Sequence, residues 1–148
     1  MIEKCIEDWH RHLRGELPGG LDELLHDDVV FYSPVVFTPQ KGKEITKLYL
    51  NAAGNTFNET APSDAPKTPK TGEAASSGKF GYTKKVLSGN QAVLEFESEL
   101  EGKFVNGVDI ITCDDDGKII EFKVMIRPLQ AVNKLHQKMA AMLEAMKA

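Results

Sequence analysis

The chain has 148 residues, with 18 Lys and Arg against 22 Asp and Glu and a formal net charge of −4. That balance removes the electrostatic basis for binding nucleic acid, which rests on cations neutralising phosphates. No apolar run approaches the roughly 20 residues of a membrane span, and the acidic, amphipathic start MIEKCIEDW is unlike a signal peptide. A cytoplasmic protein without a membrane partner is expected. The length fits one domain over residues 1–148, large enough to bury a core without a metal or a disulfide. Cys5 and Cys113 sit in apolar surroundings and read as free buried thiols of a reducing compartment, although their number alone leaves a single disulfide open.

In chain order, Ile2, Cys5, Ile6, Trp9 and Leu13 recur at three- and four-residue steps, the stripe of an amphipathic helix over residues 2–14 that Gly15 and Pro18 end. His12 lies at the edge of that stripe and His10 points away from it. Residues two apart on a helix diverge by about 200°, so this pair cannot share a metal, and no metal site is expected. A short second helix over residues 21–26 follows Gly19-Gly20, and residues 29–33 read as a strand ended by Pro34. Residues 39–42 read as a turn. Ile45, Leu48, Tyr49 and Ala52 then define a third helix over about residues 43–53. The stretch 58–78 holds Pro62, Pro66 and Pro69 among Ser, Thr, Ala and Lys, with too little apolar surface to offset the entropy of ordering it. Such a loop is either a functional flap or plain disorder. Phe57 and Phe80 at its ends could close over whatever lies beneath.

Strands resume over residues 79–87 and 91–100, where Leu94, Phe96 and Leu100 alternate with Glu95, Glu97 and Glu99. The three glutamates read as the solvated face of a sheet opposite Lys84 rather than a catalytic cluster. Residues 103–127 alternate on both sides of Asp114-Asp115-Asp116-Gly117, the pattern of a β-hairpin around a tight turn. Asp109 is the one acid in phase with Val105, Gly107, Ile111 and Cys113, a face otherwise small or apolar. Pro128 then suits the first turn of a final helix, along which Val132, Leu135, Met139, Met142 and Met146 form a packing stripe. The outward phase of the hairpin holds Val108, Ile110 and Met125, too apolar for water on a small monomer. The final helix or a second subunit would cover it, and a homodimer through this face is expected. Arg127 shares that outward phase with Lys123 and reads as an interface ion pair.

The order helix, helix, strand, helix, then four meandering strands resembles the nuclear transport factor 2-like superfamily over nearly the whole chain. Within it, the stretches LLHDDVVF from Leu24, GVD from Gly107, DDGKI from Asp115 and FKVMIRPL from Phe122 resemble the SnoaL-like branch. The resemblance implies an α+β fold: a cone-shaped, bent antiparallel sheet wrapped around N-terminal helices, with an extra C-terminal helix and a pocket at the cone's mouth. The superfamily includes ketosteroid isomerases, polyketide cyclases, dehydratases and proteins that only bind or dimerise, so fold alone names no activity.

Set against the ketosteroid isomerase pattern, Asp109 falls where that family places the protonated acid of its oxyanion hole, a family that also serves as a general example of a carboxyl kept neutral by an apolar site. The family's general base falls at Ser33 and its oxyanion tyrosine at Trp9. Serine cannot abstract a carbon-bound proton unaided, so steroid isomerisation by that route is not expected. The expected pocket wall is Trp9, Leu13, Phe31 or Tyr32, Phe37, Tyr49, Phe57, Leu94, Phe96, Phe122, Val124 and Ile126. Its polar groups would be Asp109 and either His12 or Tyr49. Burial there should make Asp109 less acidic than a free aspartate, fit to exchange a proton with a carbonyl or enol, with His12 as partner. Two readings follow, neither requiring a cofactor. In one, the chain binds a small, mostly apolar molecule as a cyclase, isomerase or dehydratase working through Asp109. In the other, it is a binding or dimerisation module whose pocket its own side chains fill.

Overall fold

The computed structural model describes residues 2–58 and 80–147, in four helices and six strands. Helix α1 (Ile2–Leu13) presents Ile2, Cys5, Ile6 and Trp9 as one buried stripe. A single turn of helix, α2 (Leu21–Leu24), leads directly into β1 (Leu25–Tyr32). The strand β1 thus starts earlier than the sequence pattern predicts. Its exposed Asp27 and Asp28 sit in a register shift between Leu25 and Val30, which the alternation of side chains conceals. A two-residue strand, β2 (Gln40–Lys41), pairs with Val30 and Phe31 where a plain turn was expected, and α3 (Lys43–Asn58) runs on past Gly54. The stretch read as a flap or a disordered loop lies, but for Asn58, outside the described residues.

The remaining strands are β3 (Gly81–Ser88), β4 (Gln91–Leu100), β5 (Lys103–Cys113) and β6 (Ile119–Arg127), followed by α4 (Leu129–Lys147). The sheet order is β2-β1-β6-β5-β4-β3, and the sheet is open. One expectation is corrected here. The sheet is mixed rather than antiparallel, because β1 runs parallel to β6, with Phe31 opposite Phe122. Hairpin turns fix the direction of consecutive strands, whereas β1 is separated from β6 by the whole meander and is free to pair in parallel, which also covers the β6 edge.

Inward positions alternate along the central strands. Leu94, Phe96 and Leu100 of β4, Val105, Ile111 and Cys113 of β5, and Ile119 and Phe122 of β6 are all nearly inaccessible. They close on the α1 stripe at one end. At the other, Phe96, Leu100 and Val105 meet Ala52 of α3 and Ala131, Leu135 and Met139 of α4. Burial by α4 follows an i, i+4, i+8 stripe, so Ala131 replaces the expected Val132 on the buried face. Lys134 and Lys138 hold Glu101 of the β4–β5 turn at 3.2 and 2.9 Å. The helix therefore lies on the inner side of the sheet, across the end where Phe96 and Val105 sit. It does not cover the outer face, where Met125 stays 51% exposed.

On that outer face Lys84 stands opposite Glu95. Asn106 donates to Glu95 at 2.9 Å and accepts from the Arg127 Nε at 2.8 Å. The glutamates are the polar side of the sheet, as their phase implied.

Candidate functional site

Asp109 points inward from the middle of β5, with Leu94 of β4 and Val124 of β6 beside it in register. It is only 5% exposed. Two residues before it, Gly107 has no room for a side chain. A Cβ there would lie 2.6 Å from the Met125 carbonyl oxygen, 2.6 Å from Phe96 Cζ and 2.7 Å from Ile126 Cγ2. The absence of a side chain there leaves room for the Phe96 ring, which stands opposite Gly107 in the ladder.

The partner of Asp109 is a residue the sequence did not single out, Tyr82 of β3. Its hydroxyl donates to Asp109 Oδ2 at 2.5 Å and accepts from Trp9 Nε1 at 3.0 Å. Helix α1, the edge strand β3 and the central strand β5 are thereby joined through one phenol. Tyr82 reaches inward because of a β-bulge. It stands opposite Phe96, on the inner face, but the register then shifts so that Lys84 stands opposite Glu95, on the outer face. Strict alternation would place Tyr82 and Lys84 on the same side, and this is why the sequence pattern hides it.

Burial among apolar neighbours raises the Asp109 carboxyl from 3.8 to about 7, while the hydrogen bond from Tyr82 pulls it back. The Tyr82 phenol is pushed well above its ordinary value, first by burial and then by the Asp109 charge, so it stays a neutral donor. Among the described residues Asp109 Oδ1 takes no protein hydrogen bond. An acid with its midpoint near neutrality, one oxygen fixed and the other unengaged, is suited to give or take a proton.

Trp9 meets Phe122 edge-on at 5.0 Å, Phe31 stacks on Tyr49 at 5.4 Å, and Phe80 stacks on Phe96 at 5.0 Å. Val124 and Ile126 are half-buried against the same core. Two wall residues expected from the sequence are corrected. Tyr32 lies on the outer face, where Lys123 Nζ sits 4.8 Å above its ring, and Phe31 holds the inner place. Phe37, in the segment after β1, is 99% exposed and lines nothing. Leu13 is 47% exposed, and the side chain of Phe57 lies outside the described residues.

His12 packs on Trp9 with ring centroids 5.6 Å apart, and burial lowers its basicity. No hydrogen bond joins it to Asp109 among the described residues. His10 instead sets its ring 5.5 Å from that of Tyr82. Its Nε2 is buried without a partner among the described residues, and burial with help from Lys85 and Arg14 lowers the imidazole to about 4. Ser33 Oγ accepts the Val35 amide at 3.1 Å, which commits it to the turn after β1.

Two surface clefts lie elsewhere. One, of about 500 Å³, opens between Arg11 and Lys118, and the other, of about 290 Å³, beside Asn106 and Arg127.

Among the described residues, Asp109 is the one buried acid on the inner face of this α+β fold. No family model and no curated protein matches the sequence. Among solved structures, a steroid delta-isomerase from Pseudomonas aeruginosa is 28% identical with a TM-score of 0.79, over 98% of this chain and 93% of that one. An NTF2-like protein of unknown function from Mesorhizobium loti is 17% identical, with a TM-score of 0.62 over 86% and 91%. An epoxide hydrolase/cyclase-like enzyme with a role in pyran ring formation in salinomycin is 14% identical, with a TM-score of 0.56 over 85% and 90%. In fold the chain is similar to these nuclear transport factor 2-like proteins, in line with the resemblance of its SnoaL-like stretches.

Proposed function

We propose that the chain binds a small, mostly apolar molecule against the inner wall of its cone and exchanges a proton with it through Asp109, as a cyclase, isomerase or dehydratase would. The observation that carries this is the Tyr82–Asp109 hydrogen bond in an aromatic setting, with the carboxyl midpoint near 7 and Oδ1 unengaged. In such a step Oδ1 takes a proton from an acidic C–H or O–H of the ligand and returns it to a neighbouring atom, with no net change at the enzyme. The similarity in fold to a structure described as a steroid delta-isomerase supports an isomerase-type reading. Ser33 in place of a carboxylate argues against steroid isomerisation with a second acid as base.

A second reading has its own support. Leu135 and Met139 of α4 lie against Phe96 and Val105, and a cone so filled would be a binding or dimerisation module. Uptake of the neutral dye N-phenyl-1-naphthylamine separates the two. A ligand-binding cone takes up the dye saturably, and Asp109→Asn keeps the fold but weakens binding or abolishes turnover. A filled cone takes up none, and unchanged binding and turnover in Asp109→Asn would remove Asp109 from the chemistry.

We also propose that a second copy of the chain covers Val108, Ile110 and Met125. The outer face carries Glu95 and Glu97 on β4 and Lys123 and Arg127 on β6, on either side of β5. A twofold axis along β5 would lay the β6 of one copy over the β4 of the other, opposing these charges around an apolar centre. No described helix is long and apolar enough to cross a membrane. The free, buried Cys5 and Cys113 support a reducing compartment such as the cytoplasm.

A further inference from the structure

The Tyr82 hydroxyl has a single proton and two polar neighbours, and the identity of residue 9 decides where that proton goes. An indole N–H only donates. With Trp9 Nε1 at 3.0 Å, the phenol oxygen must accept on that side, and its own proton is left for Asp109 Oδ2 at 2.5 Å. A phenol or an amide at position 9 could both give and accept, and would let the Tyr82 proton point either way.

We infer that Trp9 is a positioning residue acting on Asp109 through Tyr82: it commits the phenol proton to Oδ2 and so confines proton exchange with a ligand to Oδ1. The inference rests on the reading of Asp109 as the proton-exchanging group. The chain is built to be rigid. Trp9 is 5% exposed, wedged edge-on against Phe122, and Tyr82 is held edge-on by both Phe80 and Phe96. Hydrogen bonds in series polarise one another, so donation from Trp9 also makes Tyr82 the stronger donor to the carboxylate. The titratable neighbours are few. From α1 they are His10 and His12, both driven towards the neutral form by burial; from β3, Tyr82 itself with Lys85 beyond; and from α3, Tyr49. The flanking strands contribute Leu94, Phe96, Phe122 and Val124, none of which carries charge.

The test is the titration of the Asp109 carboxyl carbon by ¹³C NMR, assigned by its loss in Asp109→Asn. Trp9→Phe keeps an aromatic ring but removes the donor, and should raise the midpoint by about half to one pH unit as the carboxylate loses part of its hydrogen bond. Tyr82→Phe should raise it at least as far. In the Tyr82→Phe background, Trp9→Phe should add nothing, since its route is gone. A Trp9→Phe shift of equal size in both backgrounds, or none in either, overturns the inference. The chain has one Trp, so its indole N–H resonance is unique and gives a readout on the unmodified protein. It should move with the Asp109 midpoint and stop moving in Asp109→Asn; a signal that is flat in the unmodified protein overturns the inference even if Trp9→Phe fails to fold. A wild-type carboxyl titrating in the ordinary range near 4 would instead remove the functional reading, and this inference with it.

Discussion

Ionising an aspartate enclosed by Leu94, Phe96 and Val124 costs free energy, and that cost is readable as a pH dependence. In the folded chain Asp109 holds its proton to about 7, whereas an ordinary aspartate loses it near 3.8. Between those values the native state binds more protons than the unfolded one. Stability contributed by this residue therefore falls as pH rises through that window and levels off above it. The full span is on the order of 4 kcal/mol at most. Asp109→Asn should lack this fall, so its stability relative to the parent, measured by urea unfolding at pH 4, 6 and 8, should rise with pH. A constant difference across the series would show that Asp109 ionises in the folded chain as an ordinary aspartate does. Asp109 itself was legible in the sequence, because a lone acid in a row of small and apolar residues has no other simple explanation. Tyr82 was not: the bulge beside it reverses the side-chain phase. His12 was legible at the edge of the α1 stripe, but its expected pairing with Asp109 is not among the hydrogen bonds of the described residues, since helical phase gives direction and not reach.

Among elements, the β5–β6 hairpin positions the acid, and Gly107 is its tightest point. A methyl group there meets a backbone carbonyl that cannot move without disturbing the β5–β6 ladder. Gly107→Ala should cost about 1–3 kcal/mol, read as a lower denaturation midpoint at unchanged slope, together with displacement of Phe96. Stability equal to the parent would mean that the strands separate there easily. The hairpin could be read from alternation around its Asp/Gly turn, and α1 from its stripe. The α2–β1 junction could not, because Leu24 and Leu25 serve a helical turn and a strand in succession with no breaker between them. Likewise Gly54 looks like a stop for α3, yet the helix continues through it.

At the scale of the molecule, the outer sheet face carries exposed apolar side chains that need explaining. Val86 and Met125 are 53% and 51% exposed beside Val93, Val108 and Ile110. If a second copy covers them, Met125→Glu should convert a dimer into a folded monomer in sedimentation velocity, with the far-ultraviolet spectrum unchanged. A wild-type monomer at every concentration would leave the face without that partner. The fold was legible from the order of elements. The parallel β1–β6 pairing was not, because nothing local in either strand records its direction, and the inner placement of α4 follows from packing against α3 and Phe96 that no single segment encodes.

The binding of N-phenyl-1-naphthylamine measured from pH 5 to pH 9, followed through the single Trp, bears most directly on whether Asp109 serves a ligand. The expected result is saturable binding whose affinity changes through a midpoint near 7 in the parent and is independent of pH in Asp109→Asn. Saturable binding with the same flat profile in both proteins, or no binding at any pH, would contradict it.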